Sequence, residues 1–375
     1  LGSGSFRNAE FLHADDFENV KARQNVQRKG LNLQAKIDVK TTENINLTFG
    51  GTYLYNDGNQ YIRSTNGGVG AYSLMNYENN PQQIDQDWRV YGRFTQRFAN
   101  STDNNDEDAS TIKNAYVSFQ LDYTKSKTVV QNSRFKDDFA AYGYVGRFYS
   151  DFQNSYEYRS NYELPDGSVR SGWFHNGFDQ VSYLYEHDSI NNPYLSNYNK
   201  IYYDLYKDEN GNLIIPGNYE TPIDVEQGGG ILNGAAPRNI YDMWSTPGTI
   251  RNQYFKDDNS QFRVTASGSA DIKNHAIQIG FEYDQRNDRF YSLSPNSLWT
   301  VGRNIVNSHI EQLDESQYTI IYTNGNNFYY DFERLYDGAS QSEFSKNIRE
   351  KLGLDVDGTE WIDFDSYGKD LWKVG

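Results

Sequence analysis

The chain has no cysteine among its 375 residues. Disulfide frameworks, thiol nucleophiles and thiolate metal sites are therefore excluded. No stretch reaches 18 consecutive apolar residues, so no transmembrane helix is encoded. Positive charge is also short: 35 Lys and Arg stand against 51 Asp and Glu, a formal net charge of −16. Nucleic acid is excluded as a partner on that ground, because phosphate is met by a basic surface. Hydrophobic residues make up only 37% of the chain, and the mean hydropathy is −0.85. What is abundant is aromatic. With 32 Tyr and 21 Phe, aromatics reach 16%. Disordered chains are poor in such residues, so a Tyr-rich all-β protein is expected instead.

The catalytic and metal signatures are missing as well. Five histidines (His13, His175, His187, His275 and His309) are scattered without HExxH or paired spacing. No GxSxG and no P-loop occurs, and "GGVGAY" and "GGGILNG" read as loop glycines. "DENGN" (208–212) reads as a hairpin turn, because an EF-hand loop needs more ligand positions and a terminal Glu. The best metal candidate is "DVDGTEWIDFD". Its Asp355, Asp357, Asp363 and Asp365 could converge as hard oxygen ligands for calcium, although an acidic loop around a turn at Asp357 and Gly358 is the simpler reading. Catalytic, metal and cofactor sites are therefore all expected to be none, and the chain is not expected to be an enzyme.

What is present is alternation. In "LNLQAKIDVK" and "INLTFGGTYLYN" every second residue is apolar or aromatic, and the residues between are Asn, Gln, Lys, Asp and Thr. Period two with one greasy and one wet face predicts a long β-hairpin over 31–40 and 45–56. "DWRVYGRFTQRF" and "AYVSFQLDY" repeat the pattern, and "AYGYVGRFY" (141–149) reads as a further strand. A second hairpin, "QFRVTASGSADIKNHAIQIGFEYDQRNDRFY", turns at Lys273 and Asn274. "FRNAEFLHADDF" is a possible first strand, and "ANSTDNNDEDAS" an acidic solvated turn. Residues 150–259 lose clean periodicity and read as elaborated surface loops with small hairpins. Near the end, Leu298, Val301 and Ile305 fall at helical spacing. Ser340 and Glu343 suggest a capping box before Phe344, Ile348 and Leu352, with Gly353 as the stop.

These runs exceed the ordinary strand of about 5–6 residues and match the roughly 9–11 residues of a membrane-spanning barrel strand. Their polar face carries whole charges: Lys36, Asp38, the row Arg89, Arg93 and Arg97, and Glu282, Asp284 and Arg286. The lumen of a large barrel supplies the water and counter-charges that such rows require. Turns alternate between tight (41–44, 273–274) and long (57–87, 150–259), as they do in outer-membrane barrels. Leu33, Ile37, Leu47, Phe49, Phe94, Val264, Ile277 and Ile279 are thus expected to face lipid. Lys36, Arg93, Gln120 and Glu282 are expected to face the lumen.

The segments "NVQRKGLNLQAKIDVKTTENINLTFGGTYLY", "NYENNPQQIDQDWRVYGRFTQRF", "AYGYVGRF" and "FEYDQRNDRFYSLSPNSLWTVGRNIVNSHIEQLD" resemble the barrel of TonB-dependent outer-membrane receptors of Bacteroidota, of the Oar-like type. The resemblance covers nearly the whole chain. It implies an antiparallel transmembrane β-barrel, here an open and incomplete portion, with long extracellular loops containing short helices. It also implies energy-coupled uptake of an extracellular ligand. The implied partners are outer-membrane lipid, a plug domain and, through the plug, the TonB complex. The chain departs from the family pattern in having no plug, TonB box or regulatory-like domain, and too few strands for a 22-stranded barrel. Both ends, "LGSGSF" and "LWKVG", are read as cuts in a longer protein. The expected organisation is first barrel strands at 1–149, a large extracellular loop region at 150–259, a barrel hairpin at 260–291 and a second, truncated loop region at 292–375. A surface binding or adhesion protein without transport is the alternative.

Overall fold

The computed structural model describes residues 15, 17–63, 71–98, 112–204, 210, 219–236, 248–323 and 327–372. Strand accounts for 51% of the structure and helix for 20%, so the protein is mainly β. The strands are β1 (Arg28–Lys40), β2 (Ile45–Asn59), β3 (Gln82–Arg97), β4 (Ile112–Gln131), β5 (Gly146–Glu163), β6 (Val169–His187), β7 (Tyr254–Ile272), β8 (His275–Leu293), β9 (Leu313–Thr323) and β10 (Asn327–Arg334). They form a six-stranded sheet in the order β1-β2-β3-β4-β7-β8 and a four-stranded sheet in the order β5-β6-β10-β9.

The six-stranded sheet is antiparallel throughout, with strands of 13 to 20 residues. Its register is what gives it two faces. Partnered residues in adjacent strands share a side, so Val39, Leu47, Phe94, Phe119, Ala266 and Phe281 form one row across all six strands. The next row on the same side is Ile37, Phe49, Gly92, Leu121, Val264 and Tyr283. Ile279, Phe281, Ile37 and Phe49 are 71%, 62%, 64% and 53% exposed. The residues expected on the apolar side therefore all lie on one face, and nothing in the described chain covers it. On β1, Leu31 to Val39 spans about 27 Å at the strand rise.

The opposite face is a hydrogen-bonded lattice. Thr48 donates to Asp38 at 2.6 Å, Arg93 to Gln120 at 2.6 Å, and Gln261 to Asp284 at 2.7 Å. Asp122, only 3% exposed, takes bonds from Arg89 and Gln120 and lies 3.6 Å from Arg263. Lys36, Arg93, Gln120 and Glu282 all stand on this side. Among the described residues β1 and β8 are free edges, and the sheet does not close on itself.

The connections that carry the described helices and the second sheet leave from one end of this sheet. Residues 60–81 join β2 to β3 and carry α1 (Ala71–Met75); residues 132–253 join β4 to β7; residues 294–372 follow β8. The other end has the turn at 41–44 and the two-residue turn in which Lys273 adopts φ 53°. The acidic segment 99–111, between β3 and β4 in the sequence, lies outside the described residues. So does "FRNAEFLHADDF", apart from Asp15 and Phe17, and "DENGN", apart from Asn210.

Four expectations are corrected here. The strand expected from Ala141 starts only at Gly146, because Phe139–Tyr142 is a helical turn (α2) whose Ala141 and Tyr142 are buried. Residues 150–187 are not loops with small hairpins: β5 and β6 form one hairpin of 18- and 19-residue strands. Bulges between Asp151 and Phe152, Ser155 and Tyr156, and Arg159 and Tyr162 shift its alternation, and this erased the period from the sequence. The helix α5 (Ser297–Val306) buries Trp299, Gly302 and Val306, one position on from the expected stripe, and Val301 is 48% exposed. The helix α6 (Glu343–Leu352) is capped by Ser342, not Ser340, through the Ser345 amide. It stops at left-handed Gly353, as expected.

With α3 (Pro193–Asp204) and α4 (Pro222–Gly228), these helices build a compact module at the long-loop end. One cluster joins Ala140, Tyr144, Trp299, Val306, Ile348, Ile362, Phe364 and Leu371. A second joins Val145, Phe148, Tyr183, Leu195, Tyr203, Val225, Ile231 and Leu232. The module rests on the strand ends through Phe139, whose ring meets Tyr254 at 4.9 Å and Tyr291 at 6.5 Å. Gly302 lets the Phe364 and Trp372 rings lie directly on α5, where an added Cβ would sit 2.4 Å and 3.0 Å from their atoms. Gly302→Leu should therefore destabilise the module by about 1–3 kcal/mol through overpacking. Thermal unfolding followed by near-ultraviolet circular dichroism checks this, and an unchanged transition would show that the rings do not pack there.

Candidate functional site

The chemistry-bearing side chains gather on the four-stranded sheet. Its β6–β10 contact is parallel and brief: Trp173 faces Tyr329 and Phe174 faces Tyr330. One side is dry. Leu164, Phe174, Tyr330 and Phe332 form its core, with Phe174 and Tyr330 stacked at 4.5 Å and 8°. The other side carries Tyr158, Trp173, Tyr329, Tyr156, His175 and Asp331. Trp173 stacks on Tyr329 at 6.2 Å and 15°, and Tyr156 meets Tyr329 edge-on at 5.0 Å.

Asp331 organises this side. Its Oδ1 accepts from Asn154 Nδ2 at 2.9 Å and Tyr156 OH at 3.1 Å, and lies 3.1 Å from His175 Nδ1. His175 is 1% exposed, and its ring nitrogens lie 2.8 Å from the Phe332 and Gly177 carbonyl oxygens. Such a fully partnered imidazole is fixed in place and holds β6 to β10. At the end of β10, Arg334 lies between two rings. Its guanidinium carbon is 3.6 Å from the Phe178 centroid and 4.5 Å from that of Trp361. Phe152 packs edge-on against Trp361 at 5.5 Å. Burial pulls the Arg334 pKa below its usual value.

A second polar centre lies inside the module. Arg303 on α5 donates to Asp365 at 2.5 Å and to the Asn233 carbonyl at 2.6 Å. Asn233, in "GGGILNG", also donates to Asp365 and bridges Val145 N and the Gly146 carbonyl. Burial would lower the Arg303 pKa, but Asp365 outweighs it and the net direction is up. These contacts tie three distant segments together.

The four aspartates do not converge. Asp355 caps its own turn by accepting from the Asp357 amide, and Asp357 accepts from Tyr336 OH at 2.7 Å. Asp363 accepts from the Ser150 amide at 2.7 Å, and Asp365 belongs to Arg303. Among the described residues no three His, Cys, Asp or Glu side chains are grouped for a metal. The histidines are equally dispersed. His275 is exposed at a turn, His187 bonds Asn197, and His309 is buried beside Arg349, with burial first and that cation second holding its pKa low.

No protein-family model, curated protein or solved structure matches the chain. The site is therefore read from its own geometry. Sequence reasoning passed over Asp331, Phe178 and Arg334, and met His175 only as one of five scattered histidines; none carries a motif, and all sit on strands whose period the bulges hide. Trp361 was in view only as part of an acidic loop.

Asp363 yields a pH prediction. Burial raises its pKa from 3.8 to about 6; the Ser150 amide pulls against it, and the nearby charge of Asp365 adds a smaller push upward. A carboxyl raised on folding stabilises the fold fully below its unfolded pKa, and that contribution is lost as pH rises through the folded value. Attachment of the C-terminal segment to β5 should thus weaken between about pH 4 and 6, by on the order of 2–3 kcal/mol. Asp363→Asn should flatten that dependence. Amide exchange at Phe148–Asp151 across the window reads it, and an unchanged slope in the variant would assign the titration elsewhere.

Proposed function

We propose that the six-stranded sheet is an arc of an outer-membrane β-barrel, and that the module at its long-loop end is an extracellular ligand-binding surface. On this reading the chain is a barrel segment of a TonB-dependent receptor engaged in energy-coupled uptake, with a plug and the TonB complex as partners. One observation carries the proposal: an apolar band that runs across all six strands, with paired charges on the opposite face of the sheet. A water-soluble sheet of this size covers such a face with helices or a second sheet. Here the helices pack beyond the strand ends, and the face is left open. In hydrocarbon the open face needs no cover, and the charge lattice faces a wet lumen.

The aromatic distribution supports the same reading. Tyr53, Trp88 and Tyr123 sit at the long-loop border of the apolar face, with Trp88 and Tyr123 rings 5.2 Å apart. Farther along β4, toward the loops, the same side carries Lys125 and Lys127. An apolar band, an aromatic belt and then charge is the order that a membrane interface imposes. The free edges of β1 and β8 would cost several kcal/mol for each unpaired group in lipid, so in the proposed barrel they pair with further strands.

Placing arginine at Leu121, in the middle of the apolar face, should destabilise the assembled barrel in lipid vesicles by about 2–4 kcal/mol. Gln120→Arg, one residue away on the polar face, should cost far less. Urea unfolding in vesicles makes the comparison. Equal effects at both positions would overturn the membrane assignment.

A further inference from the structure

Arg334 differs from the arginines of the chain that pair with carboxylates. Arg303 has Asp365, Arg89 and Arg263 share Asp122, and Arg159 has Glu157 and Glu315. Arg349, wholly buried, donates to the Asp355 and Glu360 carbonyls. Arg334 donates from Nη1 to the Ile310 carbonyl at 3.1 Å and has no carboxylate partner among the described residues. Desolvation alone shifts its pKa, and no charge answers it. Among the described residues the edge formed by its Nε and Nη2 has no hydrogen-bond partner.

The surroundings make this edge a prepared donor pair. The Phe178 and Trp361 rings both pack against the guanidinium, which restricts the freedom of the fork. A fork so held loses little freedom when a planar anion takes two parallel hydrogen bonds. Phe152 and Trp361, 37% and 38% exposed, offer apolar wall beside it. The chain carries a net charge of −16, which repels a dianion more strongly than a monoanion.

We propose that Arg334, clamped by Phe178 and Trp361, binds the carboxylate of a ligand whose adjoining apolar group lies against Phe152 and Trp361. This rests on the reading of the long-loop end as a ligand-binding surface, and it names the ligand class as monocarboxylates with an apolar neighbour. A peptide C-terminus presents this chemistry.

The test uses the whole chain in detergent, titrated with N-acetyl-L-phenylalanine and with its amide, which differ only in the charged group. The acid should bind at least about tenfold more tightly than the amide, and only the acid should shift the Trp361 indole resonance. Arg334→Gln should erase the preference. Equal binding of acid and amide to the unaltered chain, absence of acid binding, or a preference that survives in a folded Arg334→Gln variant would each overturn the proposal. The wild-type comparison needs no variant, so a poorly folded Arg334→Gln leaves it decisive. Vesicle insertion is scored on the same preparation. A chain that inserts but shows no acid preference refutes the carboxylate site alone, and a chain that stays soluble yet keeps the preference refutes the membrane reading alone.

Discussion

The architecture depends on one constraint: an apolar face that the chain does not cover for itself. The rows from β1 to β8 put Ile37, Phe49, Leu121 and Val264 side by side, and Ile37 and Phe49 are more than half exposed. Apolar surface of this extent is unfavourable in water by roughly 25 cal/mol for each Å². A one-residue slip in any pairing would invert one strand and drive Arg89, Asp122 or Arg263 into the apolar face. Two opposed demands thus lock the register. The apolar band carries no charge, and the polar side builds a lattice in which Asp122 is almost enclosed yet fully partnered.

The module at the loop end obeys different rules. Its helices are short, and its cores are made largely of Tyr, Trp and Phe packed edge-to-face and stacked around glycines such as Gly302. Polar ties through Asn233, Arg303 and Asp365 join segments that lie far apart in sequence, one between β4 and β7 and two after β8. The four-stranded sheet continues this construction. Asp331 and His175 fix β5, β6 and β10 to one another, and Arg334 reaches from β10 to Trp361 in the C-terminal segment.

The sequence disclosed the parts governed by period. Both hairpins, the strands at Trp88 and Ala115, the division of Lys36 and Arg93 from Leu33 and Phe94, and the helices beginning near Ser297 and Glu343 were all legible, because each expresses alternation or a 3.6-residue stripe. The bulged β5–β6 hairpin was not legible, since three register shifts and aromatic residues on both faces cancel the period. The stripe of α5 was misplaced by one position because Trp299 and Gly302, rather than the aliphatic residues, face Phe364 and Trp372. The candidate site was least visible. It depends on a two-residue parallel contact between β6 and β10 and on Trp361 arriving from beyond α6, neither of which leaves a local signature.

The central claim is that the apolar face lies in hydrocarbon, and β4 is the strand on which to measure it. Single spin labels placed in turn from Val117 to Thr124 in vesicle-reconstituted protein report contact with lipid-soluble oxygen and with a water-soluble nickel chelate. The account predicts strict alternation, with oxygen contact high at Val117, Phe119, Leu121 and Tyr123 and low at Ser118, Gln120, Asp122 and Thr124. Uniform access to the aqueous chelate at both sets, or the inverse alternation, would contradict it.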